Sequence, residues 1–468
     1  LFKFSFIETF LAPYLSNRFI KTKEGVARLM SWKCLKHSAV TLGLCVVVVS
    51  GCSWKEEKQV VKSNEVKTKE IVLLMPDNTA ASTKYRIEVF QKQAKLFEEA
   101  NPGVKIIIEK IPLESYQKSI TTKIKEAKPL DIIFGAYLPA LAEDGTYADL
   151  FPFFKADRMT TDDLYKPLTD IITTNGKLNG IPLSPSPFAV YYNKDWFDKA
   201  GISYPSGDWT WEQYFDISIK LKAANASEAK EVFGSAIPMD VHFFETLAQS
   251  GGSSILSPDN SKVSGFLDSR AVTEAFSLLT LHLNGSKASK QLAGGNPTLY
   301  AMRGGEIGMS AAPYGMYYFL ENYKETKGKI GIASLPRLEK GKRANTVYAQ
   351  TVSIAKGSKQ KELAWKFVKD VILNGDSPFH DEWSRQELLT SRAAVKRLNH
   401  EADPTRKVFI DELSYSIRPV PYRNAKASGV FSAEMVKQLL ASTSPAAVQQ
   451  ALTEIAYQVD QKLMIPKE

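Results

Sequence analysis

Few residues in this chain are equipped for covalent chemistry, and they are poorly placed for it. The three cysteines, Cys34, Cys45 and Cys52, all fall within the first 52 positions. The long remainder has no thiol nucleophile and no thiolate metal site. The five histidines are scattered along the chain. His380-Asp381-Glu382 reads as a solvated helix start. There is no Gly-x-x-x-x-Gly-Lys-Ser/Thr loop, no His-Glu-x-x-His and no Gly-x-Ser-x-Gly. Paired carboxylates occur in any chain of this size and carry no weight by themselves. The expectation is therefore a protein that is not an enzyme and that needs no metal and no cofactor.

Cys52 has a more telling context. Lys33, Lys36 and His37 precede an apolar run from Ala39 to Val49, which ends in Val49-Ser50-Gly51-Cys52. A basic flank, a short apolar stretch and small residues make a secretory signal. The run is too short for a comfortable membrane-spanning helix. Val-Ser-Gly-Cys resembles the lipobox of bacterial lipoproteins, which implies a signal peptide over 30–51 and a lipidated Cys52 at the mature N-terminus. Loss of the upstream cysteines would leave no free thiol and no disulfide, which suits an oxidising exterior. Residues 1–29 do not fit a signal, and Met30 is the expected start of translation. Ser53 after the Cys favours a Gram-positive cell membrane over outer-membrane sorting.

The net charge of +9 raises the question of nucleic acid. Residues 1–51 contain seven Lys/Arg against Glu8 and Glu24, so five of the nine charges lie in the leader. The modest surplus left over a long body is no nucleic-acid footprint. From Cys52 to Glu70 the sequence is polar and Lys/Glu-rich, a flexible tether.

The body is long enough for two lobes. Ile71–Met75 is a continuous apolar run, typical of a strand buried on both faces. Ile87, Phe90, Ala94 and Phe97 recur at helical spacing, and Asn101-Pro102-Gly103 ends that helix. Val104–Ile108 predicts a second strand, Tyr116, Ile120 and Ile124 a second helix, and Leu130–Phe134 a third strand. The order β-α-β-α-β implies a parallel sheet whose ligands bind beyond the strands' carboxyl ends. Those ends are the loops Pro76–Thr83 and Gly135–Pro139. Proline-rich Gly180–Pro187 is a candidate crossing between lobes. Thr210-Trp211-Glu212-Gln213 reads as a capping box. Val347–Ala355 predicts a returning strand, Ala364, Phe367, Val368 and Val371 one helical face, and Val448, Leu452, Ile455, Val459 and Leu463 the stripe of a final helix.

Several segments, in this order, resemble the family 1 extracellular solute-binding proteins. They are Leu130–Phe134, Leu141–Gly145 and Ala148–Leu150; Gly180-Ile181-Pro182 leading into Tyr191–Phe197 and Lys199–Gly201; Trp209–Glu212; Gly305–Met309 with Gly315 and Tyr317; and Ser353–Ala355 with Glu362–Val368. The resemblance covers essentially the whole chain after the leader. It implies an α/β, two-lobed periplasmic-binding-protein-like fold with a hinge and a ligand cleft between the lobes. The first lobe would take 71–182 and about 348–405, the second 183–347 and about 406–468. A small solute, expected to be a carbohydrate, would bind in the cleft of a monomer and pass to the permease subunits of an ABC importer. The family's contact positions fall on Asp77 and Asn78, Tyr137, Ser186, Asp240 beside Met239 and His242, Tyr314 and Tyr317, Tyr348 and Gln350, and Tyr422 beside Arg423. Ser186 stands where the family often has an acidic sugar contact, a departure that argues against maltose-type specificity. A sugar ring suits such a set, because its apolar face packs on an aromatic ring and its hydroxyls need polar partners.

Three other readings compete, one of them a lipoprotein sensor or adhesin that keeps this fold without transport. The same fold binds peptides, polyamines and phosphate esters in other hands, and a polyamine site would need more cleft acids than Asp77 and Asp240. A secreted carbohydrate-active enzyme is the third, separable by incubation with oligosaccharides.

Overall fold

Ile71–Met75 is buried along its whole length, as a strand covered on both faces must be. It forms the middle of β1 (Lys69–Asp77). The computed structural model describes residues 68–228, 230–292, 296–424 and 433–464. Cys52, its signal and most of the tether lie outside the described residues. The first lobe continues with β2 (Val104–Pro112), β3 (Ile132–Ala136) and β4 (Ile181–Ser186). The second lobe holds β5 (Phe188–Asn193), β6 (Phe233–Pro238), β7 (Ser289–Leu292), β8 (Ile307–Pro313) and β9 (Ile330–Ala333). β10 (Tyr348–Ile354) returns to the first lobe.

Each lobe is built on a five-stranded sheet, and the two sheets repeat one plan. The first has the order β2-β1-β3-β10-β4, the second β7-β6-β8-β5-β9. In each, three parallel strands are followed by one antiparallel strand. The fifth strand of each pairs antiparallel with the fourth. β4 thus runs parallel to β3, and its carboxyl end lies at the carboxyl edge of the first sheet's parallel strands. β5 runs against β8 and begins at the carboxyl edge of the second sheet. Pro187 alone separates β4 from β5, so the single-residue crossing joins the two carboxyl edges directly. β9 and β10 meet the same edges from the other side.

The crossing is shorter than the proline-rich run suggests. Residues 183–186, read from sequence as the start of the second lobe, stay in the first sheet as β4. Pro182 and Pro185 are tolerated there because β4 is the last strand of its sheet. A bulge opposite Tyr348–Gln350 takes up the irregularity.

Two clusters of rings fill the cores. In the first lobe Phe90, on the helix Ala81–Ala100, packs 4.9 Å from Phe134 and 5.7 Å from Trp383. In the second, Trp211 lies 5.2 Å from Tyr214 and 5.3 Å from Phe243. Thr210 closes the expected capping box with Gln213 at the start of Trp211–Asn225. The final helix, Pro445–Met464, buries Val448, Leu452, Ile455 and Val459. Two expectations need correction. Ile124 is 46% exposed, since the helix Tyr116–Lys125 is anchored by Tyr116 and Ile120 alone. His380 does sit in a helix start, but the side chain is buried against Phe379 and is not solvated. Among the described residues no helix is long and apolar enough to cross a membrane.

Candidate functional site

The candidate site is the border formed where the carboxyl edges of the two sheets meet at the crossings. Asp77 ends β1 and is half-buried, with Asn78 next in the loop. Asn78 Oδ1 accepts from the Ala80 amide at 2.9 Å, which turns the chain into the helix Ala81–Ala100. Tyr137 follows β3. It is 1% exposed, and its ring lies parallel to Tyr147 at 6.2 Å. Its hydroxyl is 2.8 Å from Thr174 Oγ1 and accepts from Asn179 Nδ2 at 3.3 Å. Burial pushes the phenol up. In this arrangement Tyr137 is a wall of the first-lobe core.

Ser186 closes β4 opposite Tyr348, and Gln350 is held by backbone pairing between Ala136 and Leu183. All three are half-buried. Asp240 caps the helix Val241–Ser250 of the second lobe, accepting from the amides of His242 at 3.0 Å and Phe243 at 2.9 Å. His242 meets Tyr348 edge-on at 4.5 Å, with the Tyr348 hydroxyl 2.6 Å from Nδ1. Burial pushes the imidazole down to about 4, so it is neutral at physiological pH. This contact ties a second-lobe helix to the strand that returns to the first lobe. Ser186, Asp240, Tyr348 and Gln350 are thereby gathered along the crossings, with Asp77 and Asn78 at the same edge of the first sheet.

Tyr314 and Tyr317 are placed differently. Tyr314 is 7% exposed and packs edge-on against Phe409 at 5.0 Å. Burial raises its phenol well above the ordinary range. Its amide donates to the Pro187 carbonyl at 3.0 Å. Tyr317 is half-buried, 6.5 Å from Phe409 and 6.4 Å from Tyr314. Phe409 comes from the helix Pro404–Glu412, which packs on β5 and β9 of the second sheet. The side chain of Tyr422 lies outside the described residues.

Sequence reasoning missed two aromatics. Tyr318, on the helix Gly315–Asn322, is 37% exposed. Tyr85 opens the first-lobe helix, donates to the Glu382 carbonyl, and lies close enough to Tyr318 for the phenols to interact. Burial first, then Glu387, pushes Tyr85 up to about 12. Asn345 and Glu412 were also missed, because their partners come from distant crossings. No group of three or more metal-ligating side chains occurs among the described residues.

A model of the bacterial extracellular solute-binding protein family matches residues 80–374. A binding protein of Brucella abortus (strain 2308) is 29% identical over 304 residues, 61% of this chain and 69% of that protein. A lactose-binding protein of Rhizobium radiobacter is 21% identical over 269 residues, 57% of this chain and 59% of its own. The solved cyclic alpha-maltosyl-1,6-maltose binding protein of Arthrobacter globiformis matches with a TM-score of 0.70 at 18% identity, covering 85% of this chain and 99% of that one. An ABC substrate-binding protein of Listeria monocytogenes, solved with cycloalternan, gives 0.64 at 22% identity, with 85% and 100% covered. At such identities the structural likeness speaks for the fold.

Proposed function

Because this chain belongs to the bacterial extracellular solute-binding proteins, we propose that it captures a carbohydrate, an oligosaccharide or glycoside, and delivers it to an ABC importer. The observation that carries this reading is the single-residue crossing at Pro187, which joins the carboxyl edges of two like-built sheets. A solute bound there touches both lobes and can draw them together. The carbohydrate class is supported by neutral polar groups at the border (Asn78, Ser186, Gln350), by exposed Tyr318, and by the sugars named for the relatives.

The rest of the reading follows from the leader. Lipidated Cys52 would anchor a monomer to the outer face of a Gram-positive cell membrane, beside the permease subunits. The protein would bind its sugar without cleaving it. Mass spectrometry of the mature chain should find nothing upstream of Cys52, and Cys52→Ala should shed protein or stall processing. A membrane-retained, uncleaved and unlipidated chain would defeat the anchor.

A thermal-shift screen tests the ligand class, since a solute that binds only the native state raises the melting temperature. A neutral oligosaccharide should raise it and emerge uncleaved. A rise with a peptide or polyamine, and with no sugar, would overturn the carbohydrate and leave the binding protein.

A further inference from the structure

Three stretches of chain meet at one buried carboxylate: two that pass between the lobes and one that runs beside them. The first is Pro187, between β4 and β5. The second runs from the end of β9 to Tyr348. The third leaves the helix Pro404–Glu412 and passes through Ser416–Ile417. Asn345, in the second, treats the first as a neighbouring strand would. Its Oδ1 accepts from the Phe188 amide at 2.9 Å, and its Nδ2 donates to the Phe188 carbonyl at 2.7 Å. The same Nδ2 donates to Glu412 Oε2 at 2.8 Å. Glu412 is 1% exposed, and its other oxygen accepts from the Leu335 amide at 2.9 Å and from the Arg343 guanidinium. Asn345 and Thr346 also pair in parallel with Ser416 and Ile417. Asn345 therefore bonds the second stretch to the first and to the third, and Glu412 bonds the third back to the second.

In this buried network only Arg343 Nε lacks a partner, and removing Asn345 or Glu412 would leave further groups unpaired. Burial raises the Glu412 carboxyl, and Arg343 opposes that rise. The place of the network sets it apart from the other buried polar clusters. It is made of the segments whose backbone must turn if the lobes move.

We propose that Asn345 and Glu412 are positioning residues, a clasp that fixes the resting angle between the lobes and thereby the fraction of molecules poised to bind. The effect on affinity rests on the reading of the protein as a solute binder that closes. The angle itself can be read without any ligand.

The test uses the chain with its three native cysteines changed to Ser and spin labels at Lys118→Cys and Lys324→Cys, exposed positions of the first and second lobes. In ligand-free protein, Asn345→Ala should shift or broaden the distance distribution between the labels. Ser218→Ala is the control for plain destabilisation. It breaks a buried cluster inside the second lobe, where Ser218 Oγ lies 2.9 Å from Ser235 Oγ and 3.1 Å from Ser289 Oγ, and it should leave the distribution unchanged. If Asn345→Ala does not fold, Glu412→Gln replaces it. A folded clasp variant with the parent's distribution overturns the proposal. So does failure of both variants to fold, since the network would then belong to the core. With an oligosaccharide that binds the parent, the variants should change apparent affinity roughly 5-fold or more. A changed angle with unchanged affinity would keep the clasp and count against closure on the solute.

Discussion

Tyr314 shows how one residue can satisfy a family pattern and still serve the core. From sequence it is expected among the ligand contacts, yet its ring is packed on Phe409. Tyr314→Ala should lower stability by about 3–5 kcal/mol in urea unfolding, as loss of a large buried ring does. Tyr318 offers the more exposed ring of that segment. Tyr318→Ala should weaken sugar binding by roughly 1–3 kcal/mol and leave the melting temperature alone; calorimetry showing unchanged affinity would release Tyr318 from the site. The histidines give a second prediction. Burial holds His242, His282, His380 and His400 down to about 4 from the ordinary 6.5. Between those values the unfolded chain binds protons that the folded chain does not, so stability is full above pH 6.5 and falls as pH drops toward 4. The buried carboxyls of Glu245 and Glu412 are raised and act in the opposite sense, losing stability as pH rises. Urea midpoints from pH 7 to 4 should decline, the four imidazoles outweighing the two carboxyls; a flat or rising profile would contradict that balance.

Elements were the most legible level. The apolar runs at 71–75 and 104–108, the helical stripes before and after them, and the capping box at Thr210 all lie in the expected kinds of element. Each is decided by local periodicity or by side chains three residues apart. The residues of the Tyr191–Phe197 motif serve the fold: Asn193 caps the helix Lys194–Ala200, and Tyr191 and Tyr192 are buried. Asp131 also has a structural role, accepting from the Val72 amide at 2.8 Å. What sequence hid was everything set by distant partners. Phe409 covers Tyr314 from 95 positions away along the chain, and Glu412 reaches Asn345 across 67. Gly305–Met309 carries its reason in packing. A Cβ on Gly308 would lie 2.8 Å from the Trp196 ring and 2.9 Å from the Gly234 carbonyl oxygen. Gly308→Ala should therefore cost about 1–3 kcal/mol by overpacking, visible as a lower urea midpoint with the slope preserved. No loss would show that β8 and the helix Lys194–Ala200 can part freely.

The whole molecule is two like-built sheets whose carboxyl edges are joined by chain crossings as short as one residue. Such a joint favours rotation of the lobes about the crossings over sliding of packed faces. Ligand caught between the edges adds contacts that the open form lacks, so binding and closing are the same equilibrium. Small-angle scattering with a neutral oligosaccharide tests this most directly. At saturation the radius of gyration should fall while the mass stays that of a monomer. Saturating sugar with an unchanged profile, or contraction only with a peptide or polyamine, would contradict a protein that closes on a carbohydrate.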